Sequence, residues 1–244
     1  MSAKNLNLKD ISFYCDGLIL KGTLHLPATV KPPVVIGCHG LYSNCNSPKQ
    51  MALATACNAH GMAYFRFDHR GCGNSQGKFE TVTSLEARCR DLKSAMEFIE
   101  SLDDTGHRIG LFGSSMGGTV CLSVAGELMV STIVTFAAPL RSATHHEGHH
   151  HSAGPDAGGI FLDAGKSDFD ISGNLSRISN ILIFHGEADE TVPLSHALEI
   201  HRLAGDPKKL IVQQNGDHRM SNADHQQDFI RAAATWFKSG LIDH

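Results

Sequence analysis

Apolar and polar positions alternate in two runs near the start of the chain, residues 9–15 and 18–26. An Asp16-Gly17 dipeptide separates the runs, which is typical of a tight turn between antiparallel strands. The pattern then changes, because residues 34–38 are continuously apolar, as expected for a strand that is covered on both faces. The sequence therefore predicts an antiparallel hairpin that leads into a buried sheet.

Short apolar runs alternate with helical periodicity along most of the remaining chain. The apolar runs predict further strands at residues 62–67, 109–112, 131–137, 180–184 and 209–213. Apolar spacings of three and four predict helices at residues 49–59, 83–101, from 118 onward, 194–203 and 223–237. Repeated strand–helix units favour an α/β fold with a mostly parallel central sheet and helices on both faces. We expect one domain over residues 1–244.

The alternation is interrupted after Pro139. Residues 140 to about 175 are rich in His, Gly, Ser and Asp, and residues 160–162 are their apolar cluster. A stretch this short and polar cannot bury a core of its own. We therefore expect a short cap or loop that is inserted into the single domain.

One junction between a strand and a helix carries a chemical pattern. Residues 113–117 read Gly-Ser-Ser-Met-Gly, which matches G-x-S-x-G between the strand at 109–112 and the helix from Gly118. Such a turn exposes its central serine at the top of a sheet. Ser115 is central, and Ser114 is expected to be a packing neighbour. A plain Gly/Ser turn is the alternative, so other groups must complete a site.

Loops that follow parallel strands supply those groups, because functional residues of open sheets gather at the carboxyl ends of strands. Three loops qualify, at residues 39–41, 185–193 and 215–218. From these loops and the following helix we take two carboxylates as candidates for the acid and three imidazoles as candidates for the base. The candidates are Glu187 and Asp189, and His185, His218 and His225.

The ordered set of motifs along the chain resembles the α/β-hydrolase family. The set comprises His39-Gly40, Asp68-x-Arg70-Gly71-x-Gly73-x-Ser75-x-Gly77, Gly113-x-Ser115-x-Gly117, His185-Gly186-x-x-Asp189-x-x-Val192-Pro193 and Asp217-His218. It is most similar to the small esterases and to dienelactone-hydrolase-like and serine-peptidase-like members. The resemblance implies an α/β-hydrolase fold with Ser115 as nucleophile, Asp189 as acid and His218 as general base, in the chain order of that fold.

The chemistry that this resemblance implies is acyl transfer through a covalent serine intermediate. A serine hydroxyl needs a base to take its proton, and imidazole titrates near neutrality. The N–H groups of Met116 and Leu41 are expected to form the oxyanion hole, with Tyr42 as the less favoured alternative to Leu41. His39, Asp68 and Arg70 are expected to shape the neighbouring loops.

The expected activity is hydrolysis of carboxylic esters with small or aromatic acyl groups. Thioester hydrolysis, acyl transfer and peptide hydrolysis use the same groups and stay open, as does a binding module without activity. The expected partner is a small-molecule ester, with no cofactor. The sequence leaves open whether the chain forms a homodimer.

Composition excludes some other classes. A net charge of -4 gives no basic patch for nucleic acid or anionic membranes, and no apolar run approaches a membrane span. The first ten residues contain no apolar segment of a signal peptide. The 7 cysteines follow no zinc or C-x-x-C spacing, which favours reduced thiols and a cytoplasmic location.

Two short patterns partly match the sequence motifs of other functions. The glycines at positions 71, 73 and 77 follow a strand, but their spacing is wrong for the G-x-G-x-x-G of a dinucleotide loop. Residues 146–150 match H-E-x-x-H, but Gly148 interrupts the helix that a zinc site needs. The wider histidine cluster at 145–151 is compatible with a solvated loop, adventitious metal binding or a pH-sensitive cap.

Overall fold

The computed structural model describes residues 7–128, 130–142 and 168–243. The strands are β1 Asn7–Cys15, β2 Leu18–Leu26, β3 Val34–Cys38, β4 Ala63–Phe67, β5 Ile109–Ser114, β6 Thr132–Phe136, β7 Ile181–Gly186 and β8 Lys208–Gln213. In these residues the strands form one sheet in the order β1-β2-β4-β3-β5-β6-β7-β8. Strands β3 to β8 are parallel, whereas β1 and β2 add an antiparallel edge.

The hairpin at the edge of the sheet forms where the alternation predicts it. Asp16 and Gly17 have φ values of 49° and 77°, so both turn residues adopt the left-handed conformation. Two such residues match the right-handed twist of the flanking strands. Cys15 is therefore paired directly with Leu18, and the alternating side chains of both strands keep their faces.

Six helices accompany the strands in the described residues. They are α1 Pro48–Ala59, α2 Phe79–Val82, α3 Leu85–Glu100, α4 Met116–Ala125, α5 Leu194–Leu203 and α6 Ala223–Leu241. The Ser84 hydroxyl caps α3 by accepting the N–H of Ala87 at 3.1 Å. Helix α2 and a 3₁₀ helix at Ser172–Arg177 were not expected, because neither is long enough to show a periodicity.

The sheet is buried on both faces. Val35 and Phe112 pack in a cluster with apolar residues of α1 and α6. Ile36 and Leu111, their neighbours along the same strands, lie in the cluster that includes α3 and α4. Because successive side chains of a strand point to opposite faces, continuous apolar runs fill both layers. The predicted α/β-hydrolase fold class, with a mostly parallel sheet between helices, is confirmed.

The two ends of the predicted insertion lie next to each other. Arg141 pairs with Asp170 through an isolated antiparallel bridge, and its guanidinium binds both carboxylate oxygens of Glu199 at 2.8 and 2.9 Å. Phe169 and Leu175 are buried in the main core. Residues 168–175 therefore pack as part of the domain rather than above it.

Other predictions for this insertion fall on residues 143–167, which lie outside the described residues. They include the histidine cluster at 145–151, the H-E-x-x-H match at 146–150 and the apolar cluster at 160–162. The assignment of one domain with a cap stays a prediction. In the part of the chain that the structure describes, no helix is long and apolar enough to cross a bilayer.

Candidate active site

Ser115 occupies a strained turn between β5 and α4. Its φ of 52° and ψ of -125° lie outside the regions that most residues adopt. A Cβ atom at Gly113 would lie 2.3 Å from the carbonyl oxygen of Gly117, and one at Gly117 would lie 2.2 Å from that of Cys38. The Ser115 N–H donates to the Phe136 carbonyl at 2.8 Å. Glycine on both sides therefore permits the close packing that holds the serine in this conformation.

The loops after β7 and β8 bring a carboxylate and an imidazole to this serine. The His218 Nε2 atom lies 3.2 Å from Ser115 Oγ. The His218 Nδ1 atom lies 2.8 and 3.0 Å from the two carboxylate oxygens of Asp189. The Asp189 side chain is fully buried, whereas 17% of the His218 side chain is exposed. The structure thus places the three residues in one chain of contacts.

Asp189 is held as a carboxylate ion. Its Oδ1 atom accepts the N–H groups of Thr191 at 2.9 Å and Val192 at 2.7 Å. Burial alone would raise the pKa of Asp189, but the bonds from His218 and these two amides outweigh burial and lower the pKa. An ionised Asp189 favours the imidazole tautomer with its proton on Nδ1. The His218 Nε2 lone pair is then available to the hydroxyl of Ser115.

The competing acids and bases take other positions. Glu187 is exposed and accepts the Asn215 N–H at 3.1 Å. His185 is fully buried, and its Nε2 lies 2.7 Å from the Val192 carbonyl, so it braces the loop that carries the acid. Burial lowers the pKa of His185. His225 lies in the first turn of α6. None of these side chains hydrogen-bonds to Ser115 among the residues that are described.

The loop after β3 lies beside the nucleophile. A Cβ atom at Gly40 would lie 3.6 Å from the Cβ atom of Ser115. Within the described chain, the N–H groups of Leu41 and Met116 donate to no protein acceptor. Their role as oxyanion-hole donors stays a prediction. Tyr42 is 57% exposed, and its ring packs against that of Phe79 at 5.4 Å between centroids.

Two residues that the sequence did not single out hold the loop of His218. The Lys49 Nζ atom donates to the Arg219 carbonyl at 3.2 Å and lies 4.2 Å from the centre of the Phe136 ring. Burial lowers the pKa of Lys49 to about 8. Glu190 accepts the backbone N–H of His218 at 3.2 Å. Lys49 lies in no motif and Glu190 occupies a variable position of one, so no sequence signal marks either residue.

The glycine-rich loop after β4 is closed around Asp68. The two carboxylate oxygens of Asp68 accept the N–H groups of Cys45 at 2.8 Å and Asn74 at 2.9 Å. A Cβ atom at Gly73 would lie 2.2 Å from Asp68 Oδ2. A loop whose amides face a carboxylate offers no cradle to a phosphate. In the described ranges, no group of three His, Cys, Asp or Glu side chains is arranged to hold a metal ion.

Comparisons with known proteins agree with this architecture. Residues 31–151 match the family Hydrolase_4, described as serine aminopeptidase S33. The uncharacterized protein YfhR of Escherichia coli is 27% identical over 213 residues, which cover 75% of this chain and 69% of YfhR. The mitochondrial palmitoyl-protein thioesterase ABHD10 of Mus musculus is 27% identical over 216 residues, covering 78% of this chain and 70% of that protein.

Among solved structures, Est1E from Butyrivibrio proteoclasticus with ferulic acid bound superposes with a TM-score of 0.77. The match covers 95% of this chain and 99% of Est1E. At 19% identity this likeness concerns the fold alone.

Proposed function

The chain belongs to the α/β-hydrolase family, and from that premise we propose that it is a serine hydrolase that cleaves carboxylic esters through an acyl-enzyme. The observation that carries the proposal is the chain of contacts from the Ser115 hydroxyl to the buried Asp189 carboxylate through His218. A hydroxyl within hydrogen-bond reach of an oriented imidazole is the arrangement of an activated nucleophile.

The first half of the reaction forms the acyl-enzyme. His218 Nε2 takes the proton of Ser115 while Oγ attacks the carbonyl carbon of the ester. The electron pair of the carbonyl moves to its oxygen, where the N–H groups of Leu41 and Met116 bind the negative charge. A donor of this kind typically lowers the barrier by about 3 kcal/mol. The bond to the alcohol oxygen then breaks, and His218 gives the proton to the departing alcohol.

The second half releases the acid. His218 takes a proton from a water molecule, whose oxygen attacks the acyl carbon bound to Ser115. The same two N–H groups bind the second oxyanion. The bond to Oγ breaks as His218 returns the proton to the serine, so the free carboxylic acid leaves and the enzyme is restored. Asp189 stays ionised throughout and stabilises the imidazolium that forms at each step.

The acyl group is proposed to be small or aromatic. Est1E, which shares the fold, was solved with ferulic acid, an aromatic acid. A panel of p-nitrophenyl esters of increasing acyl length, together with hydroxycinnamate esters, tests this assignment. Preference for acyl chains of twelve or more carbons would contradict it.

A thioesterase is the second candidate, and the similarity to the palmitoyl-protein thioesterase ABHD10 favours it. The same attack on an acyl carbon releases a thiol instead of an alcohol. Matched oxygen and sulfur esters of one acyl group distinguish the two activities through the ratio of their kcat/KM values. Aminoacyl p-nitroanilides test peptide hydrolysis, and an added alcohol acceptor tests acyl transfer.

The role of Ser115 is tested with a fluorophosphonate label. Wild-type protein should be modified, Ser115→Ala should not, and the neighbouring Ser114→Ala variant is the matched control that should still react. Hydrolysis of p-nitrophenyl acetate should fall by about 10⁴-fold or more in Ser115→Ala, as expected when a nucleophile is removed. Hydrolysis that survives in Ser115→Ala, or wild type that neither reacts nor hydrolyses any ester, would refute the proposal.

A further inference from the structure

Arg88 is a fully buried arginine in α3 whose acceptors lie next to the active site. Its side chain has no exposed area, and in the described residues it forms no ion pair with a carboxylate. Its Nη2 atom donates to the Leu41 carbonyl at 3.0 Å and its Nη1 atom to the Gly40 carbonyl at 3.4 Å. The third contact is the Cys72 sulfur at 3.3 Å. A buried cation is thus bound mainly by carbonyls of the loop beside Ser115.

A second donor holds the same carbonyl. His39 Nε2 accepts the N–H of His69 at 3.1 Å, so its proton is on Nδ1, which donates to the Gly40 carbonyl at 2.7 Å. Burial lowers the pKa of His39 well below its usual value, which keeps the ring neutral. The Gly40 oxygen therefore accepts from the imidazole of His39 and the guanidinium of Arg88, and also from the Ser43 N–H at 3.3 Å.

These bonds fix the direction of the Leu41 N–H. In a trans peptide, the carbonyl of one residue and the N–H of the next point in opposite directions. Donors that hold the Gly40 carbonyl therefore turn the Leu41 N–H away from Arg88. Gly40 itself is adjacent to Ser115, since a Cβ atom there would lie 3.6 Å from that of the serine. The orientation of this peptide decides whether the N–H can meet an oxyanion on Ser115.

We propose that Arg88 is a positioning residue of the oxyanion hole. Its guanidinium holds the Gly40–Leu41 peptide in the orientation that binds the oxyanion before substrate arrives. Its charge also polarises that peptide, which strengthens the bond from the Leu41 N–H. The inference rests on the proposed function, because an oxyanion forms only if Ser115 attacks an acyl group.

Arg66 provides a matched comparison. Its side chain is also buried, and it donates to the Cys45 carbonyl at 3.4 Å and to the ring of His25 at 2.8 Å. Cys45 lies on the same loop but beyond the residues that border Ser115. Arg66→Met therefore removes a buried guanidinium and a loop contact without touching the Gly40–Leu41 peptide.

The experiment compares wild type, Arg88→Met, Arg88→Lys and Arg66→Met. The measurements are kcat and KM for a p-nitrophenyl ester and Ki for a trifluoromethyl ketone, whose adduct with Ser115 carries an oxyanion. Arg88→Met should lower kcat by about 10-fold to 100-fold while KM changes less than about twofold, because the oxyanion exists only in the transition state. Its Ki should rise by the same factor as kcat falls.

The other two variants test whether the effect is specific to the guanidinium of Arg88. Arg88→Lys should lose about 5-fold to 10-fold in kcat, because a single ammonium group cannot hold both carbonyls in the fork geometry of arginine. Arg66→Met should keep the wild-type kcat and Ki. Folding of each variant is checked by near-ultraviolet circular dichroism. If Arg88→Met does not fold, the same comparison is made with Arg88→Lys.

Two outcomes would overturn the role of Arg88 alone. One is an active wild type whose folded Arg88 variants keep kcat and Ki unchanged. The other is an Arg66→Met variant that loses as much as Arg88→Met, since both would then act through general loop packing. A wild type that hydrolyses no ester and is not labelled by a fluorophosphonate would instead refute the proposed function. The two failures are therefore distinguishable.

Discussion

Two histidine–aspartate pairs of the described residues, His218–Asp189 and His69–Asp91, differ in access and in the partner of the second imidazole nitrogen. In one pair, His218 Nδ1 lies 2.8 Å from Asp189, and 17% of the imidazole side chain is exposed. In the other, His69 Nδ1 lies 3.3 Å from Asp91, and neither side chain has exposed area.

The second nitrogen of each ring explains why the pairs differ in chemistry. His218 Nε2 meets the hydroxyl of Ser115. His69 Nε2 makes no hydrogen bond of normal geometry to a described residue, although the Cys38 thiol helps to raise the pKa of His69. Asp91 additionally binds the guanidinium of Arg70 at 2.8 Å. An imidazole oriented by a carboxylate can thus act as a base where an accessible hydroxyl is within reach, whereas the fully buried pair serves as an ionic anchor.

The largest expected effects come from replacing the carboxylate of each pair by its amide. Asp189→Asn should lower kcat by about 10⁴-fold, because the amide favours the wrong tautomer of His218. Asp91→Asn should leave kcat within about threefold of wild type but lower the free energy of unfolding by about 3 kcal/mol, since Arg70 and His69 lose their buried partner. Activity and stability should thus separate between the two variants.

The measurements must count only folded enzyme. The kcat values are calculated per mole of protein whose near-ultraviolet circular dichroism matches wild type, because fluorophosphonate labelling itself needs the base that Asp189 orients. The unfolding free energies come from guanidinium denaturation. If folded Asp91→Asn lost activity as severely as Asp189→Asn, the buried pair would take part in catalysis, and the distinction between the pairs would fail.

The sequence predicted the fold well where buried apolar residues recur at the regular spacing of a strand or a helix. The strand runs that begin at 18, 34 and 109 and the helix at 194–203 were located from apolar spacing alone. Helix α4 begins at Met116 rather than at Gly118, because the tight turn is complete at Ser115. Short elements such as α2 carry no period and escaped prediction.

The site was predictable only in part, for a physical reason. Ser115, Asp189 and His218 occupy loops with recognisable spacing, and the structure places them in contact. Arg88 and Asp91 lie inside a predicted helix, where charged positions are expected to face solvent. Both are fully buried, because loops from other parts of the chain supply their partners. Tertiary contacts of this kind leave no local pattern in a single sequence.

A smaller effect concerns how the stability that the buried His69–Asp91 pair contributes depends on pH. Burial alone would raise the pKa of Asp91, but bonds with His69 and Arg70 lower it, so the folded state resists protonation. The stability that this carboxylate contributes is complete above about pH 4 and is lost as the pH falls through the lowered pKa. Burial would lower the pKa of His69, but bonds with Asp91 and Cys38 raise it.

The imidazole of His69 adds a loss of folding stability at high pH. Stability from His69 is complete below about pH 6.5 and is lost as the pH rises through the raised pKa. The difference in unfolding free energy between wild type and Asp91→Asn should therefore be largest between about pH 4 and pH 6.5 and decline on both sides. Denaturant titrations at several pH values measure it, and a difference that is constant with pH would show that the pair is not ionic.

The smallest expected effect concerns the hydrogen bonds that hold the backbone around His218 in the His218–Asp189 pair. Glu190 accepts the backbone N–H of His218 at 3.2 Å, and Glu187 accepts that of Asn215 at 3.1 Å. Both glutamates are exposed, so either bond contributes less than about 1 kcal/mol. Glu190→Gln should lower kcat by about twofold to fourfold, because the imidazole becomes less well fixed, whereas Glu187→Gln should leave kcat unchanged.

The two glutamine variants remove the same charge from the same face, so a difference between them in kcat at equal KM must come from the His218 contact. Equal losses would instead indicate a general effect of surface charge on the site. Because His218 needs a defined orientation but is partly exposed, its support must come from Asp189 and from hydrogen bonds that hold its backbone. The His69 pair has no such requirement, since complete burial already fixes its ring.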